Sequence, residues 1–342
     1  MKTIHKYIVL SLLLFALSAC EVVFDMPSDD SMPKIVVNAL ANPDTNFVVY
    51  LNRSIFLANV VPPLYPFEEN DQAHSSFRLT NINHANVYLT VNESNPIKMI
   101  HDLDNLYYSS DYIPQEGDRI VVDVNATGFE SVRTETVVPK RAKVDIIDYE
   151  IIYSKYEIIP DDWNESFMDD SLIVIKIKIF DQGDSENYYR LKIRSIYHID
   201  YGTIGWMETV RDLFYSSDIL FRDDRLTRSY RRWPARFTNI FNDHLFDGKE
   251  YEFTVETQKK LFRVDSRVVI SPSIVVDLQS ISKEYYHYLN SLMLYRITNR
   301  DSYSEAVHIY SNIEDGYGIF GSVSSVKDTT CFNYFGYRYP EE

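Results

Sequence analysis

The densest group of side chains able to make strong, directional contacts lies between Phe221 and Phe237. Arg222, Arg225, Arg228, Arg231, Arg232 and Arg236 gather there around Tyr230, Trp233 and Pro234. Guanidinium groups grip carboxylates with paired N–H donors, and arginine, tyrosine and tryptophan dominate the energetics of protein interfaces. Arg228, Arg231, Arg232 and Trp233 are therefore the candidate partner-binding residues. The competing reading is that Asp223, Asp224 and Asp243 neutralise these arginines, which then brace a long loop.

Carboxylates form the other candidate groups. Asp181-Gln182-Gly183-Asp184-Ser185-Glu186 offers the oxygen ligands calcium takes. It lacks the alternating acids of a dedicated loop of about twelve residues, so a solvated turn is the better reading. Asp161, Asp162, Asp169 and Asp170 flank Trp163, where a sugar could stack on the indole while carboxylates bond its hydroxyls. The same acids are the only support for a hydrolase. The eight histidines never stand at a metal-ligand spacing, and Gly-x-Ser-x-Gly is absent. The residues thus point to no metal, no cofactor and no enzyme.

The two cysteines have separate roles. Lys2 and Lys6 precede an apolar run from Tyr7 to Leu17, too short to stay in a bilayer as a spanning helix. Leu17-Ser18-Ala19-Cys20 then resembles a lipobox, at which bacteria acylate the cysteine and cleave before it. Residues 1–19 read as a signal peptide, Cys20 as the lipidation site, and residues 20–33 as an acidic tether carrying Pro27 and Pro33. Several acyl chains, each worth about 0.8 kcal/mol per buried methylene, make a lasting anchor. The expected location is the outer membrane, on either side. Cys331 is left without a partner, so an intramolecular disulfide is excluded and stability must come from a core.

With 342 residues and 45% hydrophobic content, the chain is long enough to bury one. Its formal charge is -16, and removal of Lys2 and Lys6 takes it to -18, which argues against nucleic acid as a partner. Short β-rich runs, Ile35–Val37, Phe47–Leu51, Val87–Val91, Leu106–Tyr108, Arg119–Val124 and Ser131–Val138, predict an immunoglobulin-like β-sandwich over residues 34–140. Residues 56–76, with Pro62, Pro63 and Pro66, read as a long loop. Beyond Pro139, residues 141–342 predict a larger β-rich domain. Leu172–Phe180 and Tyr188–Tyr197 alternate apolar and basic residues, and the polar stretch between them predicts a hairpin. Ser282, Glu284 and the spacing of Tyr285, Tyr288, Leu289 and Leu292 predict one late helix near 282–297. The fold class is all-β in the main.

The lipobox followed by Glu21-Val22-Val23-Phe24-Asp25, the exit at Val138-Pro139, and the run Tyr310-Ser311-Asn312-Ile313-Glu314-Asp315-Gly316-Tyr317-Gly318-Ile319-Phe320-Gly321 resemble the Bacteroidota lipoproteins grouped as domain of unknown function 4249. Asp315 stands where the family pattern has a second glycine. Members are often encoded beside TonB-dependent outer-membrane receptors. The resemblance therefore implies a β-barrel partner and an accessory or ligand-capture role, not a reaction. A stand-alone glycan-binding or adhesive module is the alternative, and a hydrolase using Asp161 or Asp169 the third. The glycines themselves suit a tight turn or close strand packing, with no lysine placed for a phosphate loop.

Asp30-Ser31-Met32 resembles a short motif for O-linked glycans, and Ser31 on the tether is its accessible serine. An intact-mass measurement of the native protein tests both modifications together. The expected result is acyl chains that disappear in Cys20→Ser and hexose increments that disappear in Ser31→Ala; a Cys20→Ser protein still held by lipid after a salt wash would overturn the anchor.

Overall fold

Period-two burial sets the first strands. β1 (Ile35–Ala41) buries Ile35, Val37, Ala39 and Ala41, and β2 (Val48–Arg53) buries Val49 and Leu51. There follow β3 (Ala85–Val91), β4 (Ile97–Lys98), β5 (Ile100–Asp102), β6 (Tyr107–Ser109), β7 (Arg119–Ala126) and β8 (Val132–Val137). The order β4-β3-β7-β8 makes one layer, and β1-β2-β6-β5 belongs to the layer facing it. Val37, Phe47, Leu51, Leu89, Ile120 and Val122 fill the space between. Each such side chain contributes roughly 1.5–3 kcal/mol by leaving water.

In this computed structural model the described residues are 32–55, 80–152, 158–161, 164–167, 172–181, 183, 185–200, 206–212, 214–222, 238–258, 273–298 and 307–331. Those from Lys34 to Ser54 and from Thr80 onward belong to one compact unit, and Met32, Pro33 and Ile55 to another.

The second half begins with β9 (Lys143–Ile152), then a small hairpin of β10 (Ile158–Asp161) and β11 (Asn164–Phe167). After it come β12 (Leu172–Phe180), β13 (Tyr188–Asp200), β14 (Trp206–Asp212), β15 (Ile240–Asn242), β16 (Glu250–Gln258) and β17 (Ser273–Ile281). Helix α1 (Lys283–Thr298) and the long β18 (Tyr317–Cys331) close the series. The Ser282 hydroxyl accepts the Tyr285 N–H at 3.3 Å and caps α1 as its sequence predicts. The chain is all-β in class; among the described residues α1 stands beside a short 3-10 turn at Ile219–Phe221.

The expected hairpin of β12 and β13 does not form. β12 pairs with β9 and β16, whereas β13 pairs with β14, β15 and β17. Both strands have a fully apolar face, and those faces meet across a core rather than lying side by side. Ile173, Ile175, Ile177 and Ile179 look from β12 toward Tyr189, Leu191 and Ile193 on β13. Phe221 holds the middle of that core, with ring centroids 5.3 Å from both Phe241 and Phe253 in edge-on contact. Such aromatic pairs add about 0.5–1.5 kcal/mol beyond burial.

β18 ties the two halves. Tyr317–Ser322 runs parallel to Val36–Ala41 of β1, and Val323–Cys331 runs antiparallel to β17. A nine-stranded sheet results. Phe320 points into the first core and Thr330 pairs with Ile274 of the second, and both are even positions of one strand, so both cores lie on the same face. α1 packs on the opposite face: a Cβ on Gly321 would stand 2.7 Å from the Cβ of Tyr285. Gly318 has φ +105°, and a Cβ there would stand 2.0 Å from the Val37 carbonyl oxygen. Asp315, in the turn before β18, takes φ 58°, a conformation aspartate tolerates.

Gly318→Ala is expected to destabilise the protein by on the order of 3 kcal/mol, because it adds backbone strain and pushes β1 off β18. Gly128, at φ +86° with open space around it, is the control, with a cost of about 1 kcal/mol from conformation alone. Chemical denaturation of the two variants checks this; equal losses would show that the β1 contact contributes nothing.

Candidate functional site

A cavity opens where the chain passes from one sandwich to the other. It has a volume of about 520 Å³. Residues 135–143 form one wall, Phe180 with 185–189 the second, and 280–284 at the start of α1 the third. Hydroxyls of β18 fix the first wall: Ser322 Oγ donates to the Val137 carbonyl and Ser324 Oγ to the Pro139 carbonyl, both at 2.7 Å. Arg141 completes the bracing. Its guanidinium donates to the Ser325 carbonyl at 3.0 Å, to Glu116 at 3.0 Å and to Asp44 at 2.8 Å.

The rim mixes charge with aromatic rings. Lys143 Nζ lies 4.9 Å from the centroid of Phe180, a cation–π contact. Glu186 meets Lys283 Nζ at 3.4 Å and His244 Nε2 at 3.7 Å. The Tyr188 hydroxyl bonds Glu186 and is the main reason that carboxyl is held below its ordinary range; Lys283 adds to the effect. Burial, and then the Glu186 charge, push the Tyr188 phenol well above its usual range, so it stays a donor at physiological pH. Such a rim suits a polar ligand with an apolar face.

Next to the cleft, Asp181, Asp243 and Asp247 bring carboxylate oxygens within 4.8 Å of one another. The sequence marks Asp181 as a possible ligand and Asp243 only as a possible partner of the arginine segment; Asp243 and Asp247 arrive on the turn between β15 and β16. Asp181 is already saturated. One oxygen accepts from Tyr189 Oη at 2.8 Å and Asn187 Nδ2 at 3.1 Å, the other from the backbone N–H of Gly183 at 3.0 Å and of Gly248 at 2.8 Å. This carboxylate clamps two turns. Asp243 is 2% exposed, and burial, with the Asp181 charge adding, raises its pKa against the opposing bonds from Asn187.

Of the sequence candidates, Cys20, Ser31, Arg228, Arg231, Arg232 and Trp233 lie outside the described residues, as do Asp162, Trp163, Asp169 and Asp170. Asp161 ends β10, and Arg222 is exposed at the edge of the arginine segment. The neck of that segment is described: Thr238 N–H donates to the Phe221 carbonyl at 2.7 Å, so its two ends sit together. A smaller groove of about 270 Å³ borders this neck, between Ile219, Leu245 and Tyr286 of α1.

The residues that carry the family resemblance act in the frame. Asn312 pairs with Phe320 twice, accepting its N–H at 3.0 Å and donating to its carbonyl at 2.8 Å, while Thr134 Oγ1 donates to the Asn312 carbonyl at 3.1 Å. The family model described as domain of unknown function DUF4249 matches residues 21–329. The chain belongs to this family. Among curated proteins no relative matches it. The DUF4249 span covers both sandwiches, the seam cleft and most of β18, so the cleft lies wholly inside it.

Asp243→Asn is expected to raise the melting temperature at pH 7.5, since an amide oxygen still accepts the Asn187 N–H. Folding raises this carboxyl's pKa, so its ionised form disfavours the folded state at every pH above that value; the penalty fades as pH falls and vanishes once the unfolded chain is protonated too. Melting curves over a pH series should therefore show the gap between variant and parent closing toward acid. A gap independent of pH would sink the assignment.

Proposed function

We propose that this chain is a lipid-anchored, non-catalytic accessory of a TonB-dependent outer-membrane β-barrel receptor, and that it captures ligand for that receptor or gates its entry. The observation that carries the reading is the seam cleft. Its volume falls in the class that takes small molecules. Its walls come from both sandwiches, so an occupant would touch the two halves at once. Lipid at Cys20 and a tether over 20–33, able to span at most about 50 Å when extended, would keep the body within reach of a barrel in the same membrane.

The arginine segment supplies the partner contact in this reading. Its six arginines stand against a formal charge of -16, and its ends are pinned together at Phe221 and Thr238. Contact residues are not buried in their own core, so their loss should spare the fold.

The test replaces Arg228, Arg231, Arg232 and Trp233 with serine together. The expected outcome is a melting temperature close to the parent's and at least a tenfold loss of co-purifying β-barrel from detergent-solubilised membranes. A large drop in melting temperature with unchanged recovery would make the segment structural bracing, with each exposed pair worth about 0–1 kcal/mol. Glycan retention without a barrel would favour the stand-alone module, and turnover lost with Asp161 or Asp169 the hydrolase.

A further inference from the structure

One ammonium group on the first wall of the seam cleft meets no carboxylate. Register sets Lys143 of β9 opposite Phe180 of β12, and the lysine is exposed. Among the described residues its only partner is the Phe180 ring, with Nζ 4.9 Å from the centroid. Arg141 and Lys283 differ, since Glu116 and Asp44 occupy the first and Glu186 the second.

The same wall carries an apolar residue on a wet face. β8 buries Val132, Thr134 and Thr136 and turns Arg133, Glu135 and Val137 outward. Two of those three are charged, as contact with water favours. Val137 is not, and it is 52% exposed where β8 reaches the cleft. Pro139 and the half-buried Phe180 line the same cavity of about 520 Å³, so the ammonium and this apolar surface border one open space. The lining sets Lys140, Arg141, Lys143 and Lys283 against Glu135, Glu186 and Glu284, a small positive excess in a chain of formal charge -16. Two of the acids are engaged: Arg119 holds Glu135 at 2.7 Å, and the Tyr188 hydroxyl holds Glu186.

We propose that the seam cleft binds an organic carboxylate with an apolar body, whose carboxylate meets Lys143 while the body covers Val137 and Pro139. This rests on the cleft being the ligand site of the accessory role, and it adds the chemical class. A charge-assisted bond from Nζ supplies affinity for the anion, and removal of Val137 from water favours a ligand that is more than an anion. Lys283 offers a second ammonium on the third wall, because Glu186 keeps the Tyr188 hydroxyl when Lys283 turns to the ligand.

The full chain is titrated calorimetrically with N-acetyl-L-phenylalaninate, with its neutral carboxamide and with acetate. The acid is expected to bind at millimolar concentration or below, and the carboxamide and acetate each at least tenfold more weakly. Lys143→Gln should bring the acid down to the affinity of the carboxamide and leave the carboxamide unchanged, whereas Val137→Thr should weaken both. A purely structural role for Lys143 would not separate acid from carboxamide. Arg133→Gln, on the same face of β8 but outside the lining and paired with Asp123 at 2.9 Å, should bind as the parent does. Equal binding of acid and carboxamide, or full affinity for the acid in Lys143→Gln, would overturn the carboxylate class. Absence of binding by either probe, with the β-barrel still co-purifying, would also overturn it and leave the accessory role standing. Tight binding of the acid without a co-purifying barrel would do the reverse.

Discussion

The parallel ladder between β1 and β18, from Val36 opposite Tyr317 to Ala41 opposite Ser322, is the contact that both sandwiches share. Remove it and the first sandwich loses a neighbour for β1 together with Phe320 from its core. The second sandwich loses the strand that flanks β17. Parallel pairing is slightly weaker per residue than antiparallel. The surrounding bonds compensate: Asn312 clamps Phe320, and the hydroxyls of Ser322 and Ser324 hold the passage between the halves. The cleft wall and the sheet are thus fixed by the same strand.

Local alternation made most strands legible. Leu172–Phe180 is a strand with the bounds its pattern suggests, and Ser282 caps the helix that follows it. Pairing was less legible. Proximity in sequence suggested that β12 and β13 lie side by side, but two strands joined by seven polar residues can equally face each other across a core, and the continuous apolar face on each favours that. The β1–β18 ladder could not be read at all, since no local pattern names a partner so far along the chain. Family glycines pointed to the right place, and Gly318 and Gly321 act there through close approach.

The candidate sites divide in the same way. Asp181 drew attention as a possible ligand, yet its meaning depends on Gly248 and Asp243, which a different turn supplies. Lys143 and Lys283 carried no signal on their own, and Glu186 stood out only as one oxygen of a possible calcium turn. They matter because three separate segments converge at the seam. Composition predicted an acidic surface. Alternation put Arg190, Lys192 and Arg194 on one face of their strand, but nothing local named Asp277 as the residue opposite Lys192.

The position of β18 also dictates an order of events on a growing or threading chain. Its partner β1 is made before the other described strands and must wait for β18, and closing a loop of that length costs about 5 kcal/mol in chain entropy before any contact repays it. High contact order of this kind slows folding. Until β18 arrives, the amino-terminal half lacks both Phe320 and the parallel neighbour of β1 that complete its core. The architecture works as a timer, completing the first core only when β18 arrives.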